Sequence, residues 1–290
     1  MGFAVNDLTL NQYLDVPFDE YLSNVGAVSN SMLKLIDRSP AHLKSYIDDD
    51  SQREQSDALI VGRAAHAMVL ETDSFHKYYY CIPDDLRKLT KPQIKGIEEG
   101  RPTKLAQELD DKWQHIQSEA NGRELIKESS LSDVSEMRNA LMKIPKIKAL
   151  LSIGSAEQTR FFNDQSTGIT CKMRADFVHG STQSVIVDYK TCEDARPEAF
   201  AKNIVKFGYD VQAAHYKQGG QAEYFFIVAQ EKKPPFAAML YMMTSDWLVR
   251  GEQLRRKYLN AYAECINTNN WPSYTSKTET LTIPRWAEIG

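Results

Sequence analysis

Asp188 and Lys190 stand two residues apart in "SVIVDYKTCED", Ser184 to Asp194, at the end of an otherwise apolar run. Side chains two apart share one face of a strand, so Ile186, Asp188 and Lys190 point together while Val185, Val187 and Tyr189 point away. In the preceding "GITCKMRADFV", the same alternation puts Cys171, Met173, Ala175 and Phe177 on one face and Thr170, Lys172, Arg174 and Asp176 on the other. If the two strands pair across the short turn between them, Asp176 and Asp188 converge at one edge with Lys190 beside them. Close carboxylates repel and raise each other's proton affinity unless a cation lies between them. Oxygen ligands of this kind suit Mg²⁺ or Mn²⁺, which readily accept phosphate oxygens. Such an ion activates water and stabilises a leaving oxygen, and Lys190 then orients or deprotonates the water or offsets charge on the phosphate.

A D-x-K triplet by itself is better read as an exposed cross-strand ion pair on an edge strand. The wider set carries the chemical reading. His66 lies on the apolar face of a helix, with Gly62 one turn earlier leaving room beside the imidazole; the plain alternative is a core histidine with its hydrogen bonds satisfied. Glu157 opens a strand and either faces solvent or shapes the acidic site. Gln212 and Tyr216 are four apart, hence neighbours on one helical face, where they contact the scissile phosphate, hold Lys190, or simply pack. Lys172 and Arg174, on the Asp176 face, contact nucleic-acid backbone or balance the carboxylates.

These residues need elements to position them. "VSNSMLKLID" reads as a helix capped by Ser29 or Ser31 and ended near Pro40. Residues 58–71 form a helix whose apolar face holds Leu59, Gly62, His66, Val69 and Leu70. Residues 84–130 read as loops plus an exposed helix with a basic part, and 133–151 as a helix with a possible break at Pro145. From Glu157 the period changes: "EQTRFFND" and "GITCKMRADFV" flank a turn at Asp164 to Gly168, and "SVIVDYKT" follows after an "HGSTQ" turn. Helices around Pro197 to Phe207 and Gln212 to Gly219, strands at Tyr224 to Gln230 and Phe236 to Met243, and a long helix after Asp246 complete one α/β domain.

The 290 residues, 42% hydrophobic and 26% charged, are enough for a sizeable core. The longest apolar stretches fall short of a membrane span and the N-terminus lacks a signal pattern, so a cytoplasmic location without membrane contact is expected. Four scattered cysteines contain no C-x-x-C pair, which argues against a zinc or iron–sulfur centre. The net charge of −4 is uneven: residues 1–57 hold ten acids and four bases and carry −6. Any nucleic-acid contact therefore uses local patches or metal ions.

The order Gly62-x-x-x-His66, Glu157, Asp176, Asp188-Tyr189-Lys190 and Gln212-x-x-x-Tyr216 resembles the PD-(D/E)xK nuclease superfamily in its RecB-like branch. Within it, "SNSMLKLIDRSPAHLKSY", "VGRAAHAMVLE" and "GITCKMRADFV" are similar to exodeoxyribonuclease VIII, the RecE type of phage and prophage recombination enzyme. The likeness runs from about Val28 to about Tyr216, and departs from the superfamily's motif in having Ala175, not proline, before Asp176.

The resemblance implies a restriction-endonuclease-like core, a central mixed β-sheet flanked by helices. An acidic N-terminal helical segment, 1–57, belongs to the same domain as the nuclease core, 58–290. It implies Mg²⁺, for which Mn²⁺ substitutes, held by His66, Asp176, Asp188 and Tyr189, with Glu157, Lys190, Gln212 and Tyr216 as further catalytic residues. Ser31 and Arg38 match the region where related exonucleases hold a terminal 5′ phosphate, although for each residue singly a helix cap and a surface charge are the better explanations. It further implies 5′→3′ digestion of double-stranded DNA ends, a homo-oligomeric ring of three or four subunits and a RecT-type single-strand annealing protein as partner. The rival readings are a site-specific or structure-specific endonuclease with the same core, and a catalytically inactive DNA-binding or scaffold protein.

Overall fold

The computed structural model describes residues 10–48, 57–180, 184–274 and 277–283, with side chains from residue 60 onward in the helix that begins at 57. The side chain of Leu59, residues 181–183 of the "HGSTQ" turn and parts of the acidic segment lie outside the described residues.

The chain starts with a two-residue strand β1 (Tyr13–Leu14) and three helices, α1 (Phe18–Ser23), α2 (Asn30–Arg38) and α3 (Pro40–Asp48). Ser29 caps α2, its hydroxyl accepting the Met32 N–H at 3.3 Å, while Met32, Leu33 and Ile36 bury one stripe. Ser31 lies inside the first turn of α2 and is exposed. Pro40 ends nothing beyond α2, because as the first residue of α3 it needs no intrahelical donor. After α4 (Asp57–Leu70) come a 3-10 turn (Thr72–Ser74), α5 (Phe75–Tyr78), β2 (Tyr79–Ile82), α6 (Lys91–Glu98), α7 (Lys104–Ala120), β3 (Glu124–Lys127), α8 (Glu128–Met142) and α9 (Pro145–Leu150). Residues 84–130 thus hold two helices and a strand rather than one exposed helix. β2 and β3 form a separate parallel pair.

The second half supplies β4 (Gly154–Asn163), β5 (Thr170–His179), β6 (Val185–Cys192), α10 (Pro197–Phe207), α11 (Tyr209–Gly220), β7 (Tyr224–Glu231), β8 (Ala238–Met242) and α12 (Ser245–Thr268). The central sheet has six strands in the order β1-β4-β5-β6-β7-β8, antiparallel except for the parallel pair β6–β7. That parallel step requires a crossover, and α10 and α11 make it.

Two cores lie on the two sides of this mixed sheet. Met32, Leu33, Cys171, Met173, Ala175, Ile186, Phe200, Val211, Ile227 and Leu259 join α2, α10, α11 and α12 to one side. Phe177, Val187, Tyr189 and Val228 join α4, α8 and α9 to the other. Phe177 therefore packs opposite to Ala175, not with it. The switch occurs at Asp176, whose partner position on β4, Glu157, has φ 53° and makes no ladder pair. A left-handed residue inside a strand re-aims the side chains that follow.

Candidate active site

The site forms where β5 and β6 part. Their ladder runs from His179↔Val185 to Phe177↔Val187 and stops there. Beyond that point the carboxylate of Asp176 replaces a backbone acceptor: its Oδ2 receives the Tyr189 N–H at 2.8 Å. The gap lets side chains from both strands and from α4 meet. His66 Nδ1 lies 3.5 Å from Asp176 Oδ2, and Lys190 Nζ lies 3.8 Å from the same oxygen.

Asp188 is fully buried, with 1% of its side chain exposed, and has two partners. Gln212 Nε2 donates to Oδ1 at 2.8 Å. Lys190 Nζ stands 2.7 Å from Oδ2 but off the line of a hydrogen bond, which leaves a lone pair of that buried oxygen unused. The pair is pulled in opposing senses. Burial, with Asp176 adding to it against Lys190, raises the Asp188 pKa. Burial also works against the Lys190 charge, but Asp188 and Asp176 outweigh it and hold the ammonium above its ordinary range. Lys190 is therefore a cation, and Asp188 an anion that gains from a second positive charge.

Glu157 completes the cluster from β4. Burial and the neighbouring Asp176 lift its pKa to about 7, against the pull of Arg174, whose Nε donates to Oε2 at 2.7 Å. His66 is lowered to about 4 by burial and by Lys190, so its ring is a neutral nitrogen ligand near neutral pH. Tyr189 packs edge-on against that ring, with centroids 5.0 Å apart. Ligand atoms of His66, Glu157 and Asp176 all lie within 4.8 Å of one another.

One imidazole, two carboxylates in reach and the buried, half-used Asp188 Oδ2 make a donor set suited to a hard divalent cation. Proton-hungry carboxylates around one point are what such a cation relieves. A β-carbon added at Gly62 would meet nothing within 4 Å, so space beside this face of α4 is open.

Several residues take other places than the sequence suggested. Lys172 is 3% exposed, and its ammonium donates to the Tyr21 carbonyl and, at 2.7 Å, to that of Asn24, so it secures the chain around α1 and cannot touch DNA. Arg174 is spent on Glu157, on Thr159 Oγ1 at 3.2 Å and on the Val16 carbonyl, which makes it a positioning group. Gln212 is buried and holds Asp188, not Lys190 or solvent. Tyr216 is buried among Phe225 and His215, its phenol pushed well above its usual range by burial. The Tyr189 phenol donates to Gln230 Oε1 at 2.6 Å, which engages the hydroxyl away from the carboxylates. Arg38 donates to the Tyr274 hydroxyl at 3.3 Å, tying α2 to the C-terminal segment.

The sequence reading missed Lys34 and Tyr209. The Tyr209 ring has Lys190 Nζ 5.5 Å from its centroid and Lys34 Nζ 5.8 Å away. Burial and the nearby Lys190 charge lower the Lys34 pKa to about 8. Its only local signal is its place in α2 between Ser31 and Arg38 on the polar stripe.

The geometry has relatives. A crystal structure named "Putative exonuclease" from Eubacterium rectale is similar at a TM-score of 0.56 and 14% identity, over 93% of this chain and 96% of that chain. That likeness concerns the fold. A structure named SSO0001 shares 16% identity over 73% of this chain and 88% of its own, at a TM-score of 0.28. No curated protein matches the chain. The model of a family described as "PDDEXK-like domain of unknown function (DUF3799)" matches residues 29–283, the whole stretch from the α2 cap past α12. That match takes in five of the six strands of the central sheet, β4 to β8, and the fork that carries Asp176, Asp188 and Lys190, and the chain belongs to the PDDEXK-like family.

Proposed function

We propose that the protein is a metal-dependent exodeoxyribonuclease that degrades linear double-stranded DNA from its ends, 5′→3′, leaving 3′ single strands for recombination by annealing. The observation that carries this reading is the convergence of His66, Glu157, Asp176, Asp188 and Lys190 at the β5–β6 fork. Mg²⁺, or Mn²⁺ in its place, would be held by His66, Glu157, Asp176 and Asp188 Oδ2, and supplies Lewis-acid stabilisation of phosphate charge and activation of water.

The chain's own residues set the rest. Lys190, kept protonated by Asp188 and Asp176, donates rather than accepts a proton; its ammonium is placed to orient the attacking water and to offset the charge that grows on the non-bridging phosphate oxygens. Gln212 fixes the Asp188 carboxylate, and Arg174 fixes that of Glu157. The Tyr189 N–H orients Asp176, and the Tyr189 ring supports His66. Water then adds to phosphorus as the P–O bond to the neighbouring sugar oxygen breaks; the proton that the water loses passes to solvent, and the leaving sugar oxygen takes one from solvent.

The resemblance to RecE-type enzymes supports the polarity, the ring and an annealing-protein partner. Linear duplexes labelled at the 5′ or the 3′ end, with and without Mg²⁺, test the reading against covalently closed circles. Release of the 5′ label first, with circles intact and no reaction in chelator, is expected. Cutting of closed circles would instead make the protein an endonuclease.

A further inference from the structure

Phe207, on the C-terminal turn of α10, is 43% exposed although it is a large apolar side chain. It is not an isolated surface residue. Its ring stands 5.7 Å from that of Tyr209, at 32°. Tyr209 stacks in turn on the buried Phe200 at 6.0 Å, and Phe200 on Tyr241 at 5.3 Å. The stack thus leads from the core to one open ring. Its third member also faces the chemistry, because Lys190 Nζ is 5.5 Å from the Tyr209 centroid.

Cations flank it. Among the described residues, Lys34 and Lys206 form no ion pair within 4 Å; Lys34 Nζ lies 5.8 Å from the Tyr209 centroid, within the field of Asp188 and Asp210, and Lys206 Nζ 5.1 Å from that of Phe207. Gly208, at φ 64°, turns the chain between the two rings, and a β-carbon there would meet Lys34 Cε at 3.4 Å. An open aromatic ring beside unpaired ammonium groups is complementary to a nucleotide, with a flat base for the ring and a phosphate for the lysines.

We infer that Phe207 and Tyr209 form a stacking platform for the nucleobase at a DNA end, with Lys34 holding a phosphate of the same strand. The inference rests on the nuclease reading of the fork beside it. Stacking against a π-face is indifferent to base identity, as an enzyme that digests any sequence requires.

The full chain, in chelator, is titrated against a duplex whose terminal pair is mismatched and carries 2-aminopurine, bright when unstacked. Wild type quenches the fluorescence at saturation, Phe207→Trp keeps the quench, and Phe207→Ala loses it and binds about tenfold more weakly. An abasic end removes the difference between wild type and Phe207→Ala. Lys34→Ala lowers the slope of log Kd on log salt by about 0.7–0.9, the loss of one phosphate contact. Equal quenching and equal affinity for wild type and Phe207→Ala overturn the platform. The same duplex with Mg²⁺ separates the two readings. Digestion without any effect of Phe207 sinks the platform alone. End binding that depends on Phe207 without digestion sinks the nuclease reading and leaves the platform, and neither binding nor digestion sinks both.

Discussion

Glu157 combines a left-handed backbone with a carboxyl whose pKa stands near 7, and both have measurable consequences. Between the unfolded value of 4.5 and about 7, the folded chain keeps a proton that the unfolded chain has lost, so metal-free stability falls as pH rises through that window. His66, lowered to about 4, acts in the opposite sense up to its ordinary value of 6.5, so wild type must be compared with Glu157→Gln. In chelator, the variant should gain about 2 kcal/mol on wild type between pH 5 and pH 8, read from thermal or urea unfolding. The same proton must leave when Mn²⁺ enters, and calorimetry in buffers of different ionisation enthalpy should show about one more proton released at pH 6 than at pH 8. Lys190→Met should keep Mn²⁺ affinity within about threefold while the cleavage rate drops by about 10²–10⁴. Equal losses of both would make Lys190 a support of the carboxylates only. Asp176, Asp188 and Lys190 were legible as a group because period-two alternation and strand adjacency are local facts. Lys172 was misread because its partners, two carbonyls near α1, are 148 and 151 residues away. Lys34 sends no signal beyond its place between Ser31 and Arg38: on a polar helical stripe a lysine looks like any solvated one, and the Tyr209 ring beside it is 175 residues away in sequence.

At the scale of elements, α11 decides whether the fork is held in shape, since it carries Gln212 and lies between the sheet and α12. Gly251 of α12 sits so close to α11 that an added β-carbon would run into the backbone of Asp210, whereas one at Gly219 would meet the side chains of Phe162 and Met173. Backbone cannot yield as a side-chain tip does. Gly251→Ala should therefore cost about 2–4 kcal/mol and lower activity through the Gln212–Asp188 contact, while Gly62→Ala, inside a helix with open space around it, should stabilise by about 0.5–1 kcal/mol. Matching melting temperatures for the two variants would refute this division. The strands β4 to β6 and the helices α10 and α12 follow from hydrophobic period and turn residues. The parallel pair β2–β3 does not, because two four-residue strands separated by α6 and α7 leave no local pattern. Nor does α3, since a proline that ends one helix and one that begins the next read alike.

For the whole molecule, the proposed ring would resolve the conflict between an acidic chain and the polyanionic substrate proposed for it. Residues 1–57 carry −6 and the remainder +2, so a monomer would hold DNA weakly at long range. A ring closed by a repeated heterologous contact cannot leave its track sideways and needs only modest phosphate affinity. Light scattering should report three or four subunits, and digestion of a long linear duplex should continue after a competitor trap is added. A monomer that releases DNA after each cut would refute the ring. The join between β5 and β6 has a spectroscopic consequence as well. Because the Tyr189 amide proton rests on Asp176 Oδ2 at 2.8 Å, its chemical shift and its exchange with deuterium are a natural gauge of that carboxylate's electron density. A cation drawing on Asp176 should move this one resonance more than those of Ile186 or Val187, three and two residues earlier on the same strand, and so report occupancy without any turnover.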